Sequence, residues 1–206
     1  MNYRSRPRRP ASLDDKDAEL IWGDSDPALT SEAAHATANA VLLGPSRLSE
    51  DAELAGRVVA IIDAEGLDEI AALWARSPAT TLPGAMWRLY LVRAWLQRDP
   101  ETITMRFREG AATVAPDDAA ELPQPATVDE RLAALFNGES EDELAVLLDG
   151  AADLLRVLAA GAGGQAGWLT HDDDAARPVT GRTSALSVTA DELAHAAVLA
   201  RGGRLD

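Results

Sequence analysis

The sequence contains no cysteine. That excludes a disulfide framework, a thiolate nucleophile and every Cys-based zinc or iron–sulfur site, and it fits a reducing compartment. Lysine is nearly absent as well: Lys16 is the single example among 19 basic residues, and the rest are arginine. With abundant alanine, this usage points to a GC-rich bacterial genome. No stretch alternates apolar and polar residues in the manner of a strand. No apolar run approaches the ~20 residues that span a bilayer; the most apolar segment, Met86–Leu96, carries Arg88 and Arg93. The motifs of common chemistries are missing too. There is no G-x-S-x-G elbow, and the Gly-rich stretch Gly161–Gly167 lacks the Lys-Ser/Thr pair and the preceding strand of a phosphate loop. A non-catalytic role without cofactors is the expectation.

What is present is a chain of 206 residues, 47% apolar, long enough to bury a core without covalent staples. Its formal net charge is −15, unevenly spread. Residues 1–10 hold Arg4, Arg6, Arg8 and Arg9 and no acid, so the remainder has 15 basic against 34 acidic residues, a balance of −19. A body so acidic repels phosphate backbones, and nucleic-acid binding is not expected outside the tail. The tail runs into Ala11, Ser12, Leu13, Asp14 and Asp15, where the apolar core of a secretion signal would have to begin. A cytoplasmic location is therefore expected, and no membrane span.

Helical periodicity recurs along the chain. Ser12 caps an expected helix to Trp22, and another runs from Ser31 to Leu43 before Gly44–Pro45. Over Glu50–Glu65, Leu54, Val58, Ile61 and Ile62 share one face; Leu67, Ile70, Leu73 and Trp74 mark a short helix after Gly66. From Leu82 to Arg98 apolar residues cover almost the whole circumference, which predicts a central helix with Trp87 and Trp95 buried. Asp99–Pro100 restarts the chain as cap and first helical residue, leading to about Gly110. Residues 111–126 read as a linker. Capping-box patterns at Thr127/Glu130, Ser140/Glu143 and Thr189/Glu192 predict helix starts there. Leu144, Leu147, Leu148, Ala151, Leu154, Leu155 and Leu158 form a seam that is either core or interface. A long loop over 161–186 precedes a last helix to Arg201. The predicted fold is all-α, with eight or nine helices in two packed lobes, 12–110 and 127–206, behind a disordered basic tail at 1–11.

The stretches WGDSDPALTSEAAHATANAVL at 22–42 and LPGAMWRLYLVRAWLQRDPETITMRFREG at 82–110 resemble an uncharacterised actinobacterial helical protein family. The resemblance covers about half the chain. It implies a bacterial, cytoplasmic protein and brings with it no reaction, cofactor or catalytic residue.

Three groups of residues are candidates for a site. Arg88, Arg93, Arg98, Arg106 and Arg108 make a basic island in the acidic body, with Arg76 nearby. They would dock an acidic partner segment or an anion; the plainer reading is internal pairing with the many Asp and Glu residues. Glu32 with His35 and Glu192 with His195 are two Glu-x-x-His pairs, the pattern of ferritin-like di-iron bundles, with Glu19 and Glu143 as further carboxylates. Coincidence in an Ala- and Glu-rich chain is the plainer reading there. His171-Asp172-Asp173-Asp174 would hold a divalent cation loosely, or be a solvated acidic loop. The leading expectation is an interaction or regulatory protein that binds another protein or a second copy of itself. The alternative is a metal-binding helical protein using the two Glu-x-x-His pairs.

Overall fold

The computed structural model describes residues 27–47, 60, 66–115, 119–161 and 183–205. Among them the protein is all-α, with no strand. Helix α1 spans Pro27–Arg47, α2 Leu67–Trp74, α3 Leu82–Arg98 and α4 Pro100–Val114. A single 3-10 turn, Ala119–Glu121, leads to α5 (Pro125–Phe136), α6 (Leu144–Ala160) and α7 (Thr183–Arg201). The helix expected over 12–22, the basic tail and the His171–Asp174 cluster lie outside the described residues, as does nearly all of 50–65.

Local chemistry explains the boundaries. Thr81 caps α3, its Oγ1 accepting from the Gly84 amide at 3.3 Å. Asp99 both ends α3 and caps α4, its Oδ1 accepting from the Thr102 amide at 3.2 Å, with Pro100 at the first helical position. Helix α1 breaks at Gly44, whose φ of 61° is a left-handed conformation that glycine adopts without cost. A side chain there would also meet the carbonyl of Gly138.

The three capping boxes do not mark helix starts. Helix α5 begins at Pro125, two residues before Thr127. The Ser140 hydroxyl accepts from the Asp142 amide in a tight turn, and α6 starts beyond it at Leu144. Thr189 is buried within α7, which starts at Thr183; its hydroxyl donates to the Ala185 carbonyl at 2.9 Å. A threonine hydroxyl inside a helix can donate to the carbonyl four residues back, so the Ser/Thr-x-x-Glu pattern alone does not fix a helix start. Of the segment read as a linker, Ala111–Val114 complete α4 and residues 119–121 form the 3-10 turn.

Helix α3 meets every other described helix, as its apolar circumference predicts. Leu82, Ala85, Met86, Leu89, Val92, Trp95 and Leu96 are buried around it. Trp87 differs from expectation: it is half-buried at the rim, stacked on Tyr90 with ring centres 5.3 Å apart. The tightest pairing is between α6 and α7. They run antiparallel, since Arg201 meets Asp149 while Arg156 meets Asp191. Ala190, Ala196 and Ala197 of α7 face the leucine seam of α6, and small side chains let the two helices approach closely. Leu147, Leu148, Leu154, Leu155 and Leu158 are all buried, so the seam is core.

Helices α4 and α6 cross at two glycines. A Cβ on Gly110 would sit 1.9 Å from the Val157 carbonyl oxygen, and one on Gly161 1.8 Å from that of Arg106. Elsewhere on the surface, Arg131 of α5 donates to Asp142 at 2.8 Å. This hydrogen bond holds the Asp142 carboxyl below its ordinary value of 3.8 and raises the Arg131 guanidinium. Its contribution to stability is present above that value and fades as acid protonates the carboxylate.

Candidate functional site

The five arginines of the basic island are not one patch. Arg88 on α3 donates from Nε to Glu192 of α7 at 2.7 Å and from Nη1 to the Gly84 carbonyl at 2.9 Å. Arg93, one and a half turns later, lies 3.5 Å from Asp129 of α5, a carboxylate that also accepts from Gln97. Arg106 is buried at 5% exposure with its guanidinium over the Trp95 ring, 5.6 Å from the ring centre. At that range the ring face attracts the cation. Arg98 and Arg108 are exposed, and neither makes an ion pair among the described residues. Arg98 ends α3, where positive charge suits the helix dipole.

Arg108 is in a different setting. With Pro100, Glu101, Thr104 and Met105 it lines a shallow depression of about 440 Å³ on the outer face of α4. Met105 is 52% exposed there. In the sequence Arg108 stands out as part of the basic island, and Met105 does not. Its spacing of three from Arg108 on a helix with a polar outer face was the available signal.

The two Glu-x-x-His pairs are spent differently. His35 Nδ1 lies 2.8 Å from the Ser31 carbonyl, one turn back on α1, and Glu32 is exposed. Glu192 is held by Arg88, and His195 points to solvent from α7. Glu143 precedes α6, and Glu19 is outside the described residues. No three His, Asp or Glu side chains among the described residues converge in a way that would hold a metal ion. Glu32, His35, Glu192 and His195 therefore do not form a common centre here.

The Arg88–Glu192 pair is the most enclosed ion pair among the described residues, with side chains 15% and 35% exposed. It joins α3 to α7 across 104 residues of sequence. A double-mutant cycle with Arg88→Met and Glu192→Gln is expected to give a coupling of about 1–2 kcal/mol, because a charge-assisted hydrogen bond shielded from water retains much of its strength. Denaturant unfolding of the four proteins measures it. Additive effects would mean that the pair contributes nothing of its own.

No described helix is long and apolar enough to cross a membrane. No protein-family model matches the sequence, and no curated protein or solved structure matches it either.

Proposed function

We propose that this is a non-catalytic interaction protein that docks a segment of another protein on the outer face of α4. The observation that carries the reading is Met105 standing half-exposed beside Arg108 in an open depression. Methionine is unbranched and polarisable, and it moulds to apolar side chains of varied shape. Arg108 beside it supplies a fork for a carboxylate. The fitting partner presents an apolar side chain one helical turn from an acid. A cytoplasmic setting in an actinobacterium belongs to the same reading: the lack of cysteine fits a reducing compartment, and the arginine- and alanine-rich usage fits a GC-rich genome. The acidic composition also argues against nucleic acid as the partner.

Affinity capture from the native host, with wild-type protein and with the double variant Met105→Glu/Arg108→Glu, tests the reading. A specific partner is expected with wild type and about tenfold or more depletion with the variant, since contacts at the centre of an interface dominate its energy. Both positions are exposed, so the thermal midpoint should be unchanged. Equal capture by the two proteins would place the interface elsewhere.

A further inference from the structure

Helix α7 carries a second exposed stripe that the docking face on α4 does not use. Val188 is 57% exposed and Val198 54%. Asp191 and His195 lie between them and are also exposed. The spacing of the four, three then four then three residues, keeps them on one side of the helix. The order reads the same from both ends: valine, ionisable, ionisable, valine, with its centre at Leu193. Laid antiparallel on itself about that centre, the helix places Val188 against Val198 and Asp191 against His195. Each match occurs twice, as a two-fold interface requires.

The charge of this face differs from that of the body. Three carboxylates, Asp149, Asp153 and Asp191, meet two guanidinium groups. Arg156 contacts Asp153 at 2.9 Å and Asp191 at 3.3 Å, and Arg201 contacts Asp149. The surface is therefore close to neutral on a body whose balance outside the tail is −19. Two copies of so acidic a molecule repel at most approaches, and least through such a face. Val146 of α6 is also exposed, at 42%.

We propose that the outer face of α6 and α7 is the site where a second copy of this chain binds, with the two α7 helices antiparallel about Leu193. Val188 on the partner's Val198 closes the contact at each of its two ends. Asp191 accepts from the partner's His195, which fixes register and direction.

Sedimentation equilibrium of the full chain over a concentration series tests the arrangement. A monomer–dimer equilibrium is expected for wild type. Val198→Glu puts two carboxylates into the apolar contacts and should weaken the dimer by about a hundredfold. His195→Asp sets acid against acid at two places and should weaken it by about tenfold or more. The exchange Asp191→His with His195→Asp restores the opposite pairing and should return most of that loss, which damage to a single helix would not do. Helical circular dichroism of each variant controls for folding, and these solvent-facing positions should leave it unchanged. A wild-type chain that stays monomeric at all concentrations would overturn the proposal. So would a dimer indifferent to Val198→Glu and His195→Asp. Neither result bears on the α4 face, whose test reads a different protein.

Discussion

Replacing Trp74 with alanine is expected to lower stability by about 3–5 kcal/mol, within the range for removing a large buried aromatic. Trp74 is fully buried at the end of α2. Its ring stacks on Phe136 of α5, centres 6.4 Å apart, and its Nε1 donates to Thr37 Oγ1 of α1 at 3.0 Å. The Thr37 hydroxyl in turn lies 2.8 Å from the Ala33 carbonyl, as a donor to its own helix. One side chain thus ties three helices, and alanine would leave a cavity between them. At a few degrees per kcal/mol for a chain of this size, the thermal midpoint should fall by roughly 10 °C or more. Trp74→Phe separates the two contributions. It keeps most of the ring contact and forfeits the hydrogen bond, so about 1–2 kcal/mol is expected. An alanine variant within 1 kcal/mol of wild type would mean that α2 is not held against the core as described.

The second large effect is expected at the glycine crossing of α4 and α6. Two forces oppose each other at Gly110. Alanine in a helix interior is favoured over glycine by about 1 kcal/mol. Against this, its Cβ would lie 1.9 Å from the Val157 oxygen, and backbone on both sides leaves no flexible side chain to move. The clash should win, with a net cost of about 3 kcal/mol or more, at the upper end of overpacking effects. Gly161 has an ordinary right-handed backbone, φ −78°, so its identity is set by close approach and not by conformation. Gly161→Ala should cost as much. The double variant should cost clearly less than the sum, because separating the helices once relieves both clashes. Chemical denaturation of the three variants distinguishes the cases; strict additivity would argue against a shared crossing.

Much of the architecture is readable in the chain because local and long-range signals agree. The apolar circumference of 82–98 announced a central helix, and Asp99–Pro100 announced the junction that follows. The failures have physical causes. Ser/Thr-x-x-Glu patterns at Thr127, Ser140 and Thr189 looked like caps, yet the same hydroxyls make a tight turn at Ser140 and a bond within α7 at Thr189. The leucine face of 144–158 was visible, but its status as core depended on α7 lying along it, which no local pattern encodes. The basic island failed for a geometric reason. Arg88, Arg93 and Arg98 are five residues apart, and at about 100° per residue each step turns the side chain to a different face. Asp129 and Glu192, which receive two of them, are distant in sequence. Arg98 and Arg108 stay at the surface, and of the two only Arg108 lines the depression with the exposed Met105.

The contact of α3 with all six other described helices has a consequence for how the sequence tolerates change. On a helix with one wet face, roughly half the positions drift freely under mutation. Around α3 a substitution at almost any angle is read by some neighbour, α7 among them through Arg88. Variation in this protein should therefore be sparse over 82–98 and concentrated on the outward sides of the remaining helices, so a library randomised over α3 would return few folded clones for its size.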